Sequence, residues 1–209
     1  MKKKIKSGVY IVINPAQDKG EILRRLMQLK GEEIAAIQVW DNPDVEKMDE
    51  ELMDEIIHLF KDSTPVLINN QWEMLNTHAF DGVHFDAIPD NFNEIVSEVN
   101  RDFIKGVTLG NELNIVKKAK ELNFDYLSFC SMFPSQTTDS CEIVRPDTVK
   151  KCRQMTDLPL FLAGGIRPNN INLLKDLSFQ GIAVISGIMS ADNPKIALKE
   201  YQNQLKTIQ

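Results

Sequence analysis

Short apolar runs recur along the whole 209-residue chain, and nearly every one is followed by a stretch whose apolar residues have helical spacing. The first run, Gly8-Val9-Tyr10-Ile11-Val12-Ile13, is β-branched and reads as a buried strand. Further strands are predicted over 34–40, 65–68, 82–85, 103–108, 125–129, 160–163 and 182–185. Helices are predicted over 21–29, 45–60, 73–77, 93–99 and 112–122, and also after Pro146, after Pro168 and from Pro194 to about 205. In the second of these, Met48, Leu52, Ile56 and Phe60 recur every fourth residue. Proline suits a first helical turn because the N–H it lacks would find no acceptor there. The strands are continuous apolar runs rather than alternating ones, as in a parallel sheet covered on both faces. Eight such units predict an α/β protein, a single (β/α)8 (TIM) barrel domain over 1–209. An open doubly wound sheet is the rival, but no Gly-x-Gly-x-x-Gly follows the first strand.

The net charge of −6 argues against a nucleic-acid partner. Lys2, Lys3, Lys4 and Lys6 resemble the start of a signal peptide, but the apolar run behind them stops at Asn14-Pro15 and is too short for its apolar core. No stretch approaches the roughly 20 apolar residues of a membrane span. Cys130, Cys141 and Cys152 are odd in number and lack CxxC spacing, so free thiols and a cytoplasmic location are expected, with no metal motif. A homo-oligomer is compatible with all of this.

In a barrel of this kind, chemistry collects where strands end and helices begin. That rule selects Asn14, 38–42, 69–71, 84–90, 108–110, 130–139, Gly164-Gly165 and Ser186-Gly187. The last two pairs end neighbouring strands. Their bare N–H groups, near helix dipoles and with the Ser186 hydroxyl, suit a phosphate; tight turns alone would also call for glycine. Asn69-Asn70 can orient a ligand or cap a helix. Gln38 can bond a heterocycle or sit satisfied on the rim, and Trp40 can stack on a ligand or pack under a loop. His84 is expected to be a buried core histidine rather than a catalytic one. His58 and His78 read as helix-surface positions. Asp86 and Asp90 can meet a metal, with helix capping the expected use of Asp90. The polar loop 131–139 can close over a ligand.

Four segments in order resemble the thiamine-phosphate synthase family and its sister group, the thiazole tautomerases: Asp81-Gly82-Val83-His84, Phe133-Pro134-Ser135-x-Thr137, Ala163-Gly164-Gly165-Ile166 and 181–188. The resemblance covers nearly the whole barrel. It implies a (β/α)8 fold, Mg2+ as cofactor, and a synthase that joins a pyrimidine diphosphate to a thiazole phosphate and releases pyrophosphate. By that resemblance Gly165, Ile185 and Ser186 hold the thiazole phosphate, and Ser135 and Thr137 contact the same substrate. Gln38 and Asn69 contact the pyrimidine diphosphate, and Thr108 stands where the family has a serine.

The diphosphate half departs from the family. Its Gln-x-Arg-x-Lys reads Gln38-Val39-Trp40-Asp41-Asn42, its Asn-Asp reads Asn69-Asn70, and its Gly-Gln-x-Asp reads Asp86-Ala87-Ile88-Pro89. The lysine after Thr-x-Thr is Thr138. Three cations and two carboxylates are therefore missing around one leaving group. The tautomerase histidine aligns with Ser131. Besides the synthase, two readings stay open: a catalytically degenerate barrel that binds a phosphorylated thiazole-like ligand, and a tautomerase-type isomerase. Asp86 or Asp90, if aimed at Asn70, would offer a replacement metal ligand. No residue is assigned a catalytic role from the sequence.

Overall fold

The computed structural model describes residues 2–135 and 142–208. Eight parallel strands close into a barrel in sequence order. They are β1 Gly8–Ile13, β2 Ala36–Val39, β3 Val66–Asn69, β4 Gly82–Phe85, β5 Ile104–Leu109, β6 Tyr126–Cys130, β7 Leu160–Ala163 and β8 Gly181–Val184. The described helices are α1 Lys19–Leu29, α2 Glu50–Phe60, α3 Met74–Thr77, α4 Phe92–Val99, α5 Asn114–Glu121, α6 Pro146–Met155, α7 Ser186–Met189 and α8 Pro194–Lys206. None of them is long and apolar enough to cross a membrane.

Two predicted helices and one predicted cap differ. The helix expected from Val45 begins only at Glu50, because the Asp49 carboxylate accepts the Leu52 N–H at 3.0 Å and caps the first turn there. The helix expected after Pro168 is a short 3-10 turn, Ile171–Leu174. Asn170 accounts for this: its side chain accepts the Arg167 N–H and donates to the Gly165 carbonyl, bonds that compete with helix propagation. Asp90 does not cap α4; Asn91 occupies that position, without a side-chain bond.

Two separate apolar layers hold the barrel. Outside the sheet, helix faces such as Ile22, Leu26 and Leu29 of α1, or Leu52, Met53, Ile56 and Phe60 of α2, pack on the outward side chains of the strands. Each such burial contributes about 1.5–3 kcal/mol. Inside, Tyr10, Leu67, Ile104, Tyr126 and Phe161 belong to a second cluster. Strand register sets a small residue beside each large one: Ala36 and Ala183 beside Tyr10, Gly82 beside Ile104 and Leu67, Gly106 beside Tyr126, and Gly181 beside Phe161. The three aromatic rings meet with centroids 5.6–6.0 Å apart.

The N-terminal lysines help to close the barrel floor. Lys2 pairs with Asp125 at 2.6 Å and Lys3 with Asp81 at 2.9 Å, while Ile5 packs on the interior cluster. Both aspartates also accept strand N–H groups, from Lys105 and Val66.

Adding a methyl at Gly106 would set it 2.1 Å from the Tyr126 ring, whereas Gly110 has nothing within 4 Å. Gly106→Ala is expected to cost about 1–3 kcal/mol in urea unfolding, as for an overpacked core, and Gly110→Ala well under 1 kcal/mol. Equal midpoints for the two variants would contradict the interior packing.

Candidate functional site

The polar strand ends meet at the C-terminal mouth of the barrel. Gln38 and Asn69 are buried, at 6% and 1% exposure, although each carries an amide that must find partners. Gln38 finds Tyr10, whose hydroxyl donates to its Oε1 at 2.7 Å. The Tyr10 and Tyr126 hydroxyls lie 2.9 Å apart. Tyr126 also lies 2.8 Å from His84 Nδ1, and His84 Nε2 lies 2.9 Å from Thr108 Oγ1. Gln38, Thr108 and His84 thus join one bonded set.

His84 is the buried histidine that was expected, with both ring nitrogens occupied. Burial pushes its pKa down to about 4, against a smaller upward pull from Asp86, so the ring is neutral at pH 7. Burial likewise raises both tyrosines well above their ordinary value and keeps them protonated. The sequence reading missed Tyr10 and Tyr126. Their signal lay in the period of two along each strand, which turns them to the same face as Gln38 and Thr108 once the barrel closes.

A second cluster lies beside it. Asn70, in the left-handed conformation at φ 52°, donates to Asp86 at 2.8 Å and lies 3.5 Å from Asp41 Oδ2. Its side-chain oxygen accepts the Asp86 N–H. Asn69 donates to Asp86 at 3.1 Å and Gln71 to Asp41 at 2.7 Å. Asp86 is therefore aimed at Asn70, and Asp41, not singled out from the sequence, joins it. Asp90 makes no side-chain bond among the described residues. No group of three or more His, Cys, Asp or Glu that could hold a metal occurs among them.

The ends of β7 and β8 lie side by side, with Ala163 in register with Ala183. The N–H groups of Gly165 and Ile166 have no backbone acceptor among the described residues. Ser186 and Gly187 open α7, so their N–H groups have none within it. Ile185 precedes α7 and packs partly on the barrel interior.

The glycines themselves answer to chain packing. Gly164 and Gly165 have φ of 88° and 62°, and a methyl there would strike Ser131 or the carbonyls of Phe133 and Pro134. That segment lies along the end of β7, with Met132 N–H on Ala163 O at 2.8 Å and Phe133 N–H on Gly164 O at 3.1 Å. Gly187 makes room for the Tyr201 hydroxyl. Ser131, where the tautomerases have histidine, is 2% exposed and donates to the Phe133 carbonyl. Ser135 is half-buried, and Thr137 lies outside the described residues. Trp40 packs partly on the barrel interior. His78 corrects its surface assignment: its side chain is only 8% exposed and lies 2.7 Å from Asp54.

Fold and site together define a (β/α)8 barrel with polar chemistry gathered at one mouth. The family described as thiamine monophosphate synthase matches residues 9–188, and the chain belongs to it. It is 32% identical to the thiamine-phosphate synthase of Xylella fastidiosa over 140 residues, which cover 67% of this chain and 59% of that one. The chain thus spans less than two thirds of that relative. It is 30% identical to the thiamine-phosphate synthase of Methanobrevibacter smithii, over 70% of this chain and 69% of the other. The fold matches thiamine phosphate pyrophosphorylase from Pyrococcus furiosus with a TM-score of 0.77 at 19% identity, over 98% and 96% of the two chains.

The shifted His84 makes stability depend on pH. Unfolded, the ring takes up its proton near 6.5; folded, near 4. Between these values the unfolded state binds more protons, so stability that is full above pH 6.5 is lost as pH falls towards 4. Going from pH 7 to 4.5, His84→Gln is expected to lose about 2–3 kcal/mol less unfolding free energy than the wild-type chain, as measured in urea. Parallel losses would show that His84 titrates normally.

Proposed function

We propose that the mouth binds phosphorylated heterocycles and that the chain acts in thiamine biosynthesis as a synthase-type transferase, joining a pyrimidine diphosphate to a thiazole phosphate. The carrying observation is the adjacency of two strand ends whose N–H groups, at Gly165, Ile166, Ser186 and Gly187, have no backbone acceptors among the described residues. The phosphate oxygens accept those N–H groups and the Ser186 hydroxyl. Gln38, Asn69 and Thr108 line the other side and orient the second substrate. In the reaction the bond from the pyrimidine's carbon to the diphosphate oxygen breaks, the electron pair leaves with the diphosphate, and the thiazole bonds to that carbon.

Magnesium, which the family uses, fits Asp41 and Asp86. It commonly takes one or two carboxylates, filling its shell with water and substrate phosphate. Both carboxylates lie within 3.5 Å of one amide nitrogen, that of Asn70. When bound it would neutralise charge on the leaving diphosphate. The free, buried thiol of Cys152 agrees with a cytoplasmic setting.

A second reading, a barrel that binds a phosphorylated ligand without coupling it, draws support from Trp40 and Asn42. They stand where the family has cations, and Asn42 is 4% exposed and donates to Asn14 at 2.7 Å. The isomerase reading gains nothing from Ser131, which carries no titratable group.

A coupling assay with both substrates and Mg2+ separates the two. Product above background supports the synthase; none, alongside measurable binding of thiazole phosphate, supports the binder. Asp86→Asn is expected to slow coupling at least tenfold while leaving thiazole-phosphate affinity unchanged. Ser186→Asp should weaken binding of that phosphate at least tenfold by repulsion, and unchanged affinity would overturn the placement of the cradle.

A further inference from the structure

The bonded set inside the barrel has a direction. Five side chains from five strands form it: Gln38, Tyr10, Tyr126, His84 and Thr108, joined at 2.7, 2.9, 2.8 and 2.9 Å. Its middle is dry, with Tyr10 at 1%, Tyr126 at 0% and His84 at 6% exposure. Each hydroxyl carries one proton and a neutral imidazole carries one, so every donor choice forces the next. Tyr10 donates to Gln38 Oε1, so its oxygen must accept from Tyr126. Tyr126 has then spent its proton and must accept from His84 Nδ1–H. His84 Nε2 is left bare and must accept from the Thr108 hydroxyl.

We infer that this chain of bonds is a polarity lock, in which Tyr10, Tyr126 and His84 are positioning residues that make the mouth present a donor, the Gln38 amide NH2, and an acceptor, the Thr108 oxygen. It rests on the reading that ligands bind at the mouth, and it adds what they must carry: an acceptor atom over Gln38 and a donor over Thr108. Reversal at any point reverses the whole chain, so the two ends cannot be exchanged independently. A basic ring nitrogen meets the Gln38 end, and an amine or hydroxyl proton the Thr108 end. Both ring nitrogens of His84 face hydroxyl oxygens, so for the bonds to run in one direction one nitrogen donates and the other accepts.

The test reads the tautomer of His84 directly. In the full chain labelled with 15N-histidine at pH 7, long-range 15N–1H spectra are expected to give a neutral ring protonated at Nδ1. Protonation at Nε2, or an imidazolium, overturns the lock. Tyr10→Phe removes the link to Gln38 without touching the mouth. It is expected to bring up signals of the Nε2–H form and to weaken binding of 4-aminopyrimidine, used as the probe, about fivefold or more. Inorganic phosphate binding should stay unchanged in this variant. An unaltered tautomer in Tyr10→Phe overturns the lock. Absence of phosphate binding in the wild-type chain instead counts against the reading of the mouth. Should Tyr10→Phe not fold, the wild-type tautomer decides alone.

Discussion

The interior of this barrel is filled by two tyrosines and a phenylalanine, and much else answers to them. Tyr10, Tyr126 and Phe161 fit only because register sets Ala36, Ala183, Gly106 and Gly181 beside them. Filling the space with tyrosine brings two hydroxyl groups into a dry interior. An unsatisfied buried hydroxyl costs about 1–3 kcal/mol, so each needs a partner. Gln38 and His84 supply those partners, and Thr108 completes the set. Core packing and the polarity of the mouth are thus one problem with one solution.

A similar economy governs the end of β7. Left-handed backbone at Gly164 and Gly165 lets the segment after β6 lie against it, and the same turn leaves N–H groups without backbone acceptors among the described residues. A β-carbon would push that segment away. The glycines therefore serve the packing of the loop first, and the amides they leave carry the phosphate site proposed above. On the other side of the mouth charge has been rearranged: cations are absent at the positions of Trp40 and Asn42, while Asp41 and Asp86 gather around Asn70.

Much of the fold was legible in the residues. Continuous apolar strands, glycine and proline punctuation, and helical spacing gave eight units and the closed barrel. The misreadings were local. Helical spacing from Met48 backwards could not reveal that Asp49 would cap the helix. Pro168 suggested a helix that the bonds of Asn170 replace with a 3-10 turn. His78 looked like a surface residue because its partner, Asp54, lies on another helix.

The sequence by itself determined the architecture, the end of the barrel where chemistry gathers, and the membership that Asp81-Gly82-Val83-His84 and the glycine-ended strands betray. These are properties of period and local backbone preference, written within a few residues of one another. Only the tertiary structure decided that Tyr10 would reach Gln38 and Tyr126, that Asp41 would join Asp86, and that Gly165 would face the Phe133 and Pro134 carbonyls. Those meetings depend on barrel closure and register, which bring residues as much as 116 positions apart within hydrogen-bond distance. The period along one strand says which face a side chain takes, but not what stands opposite.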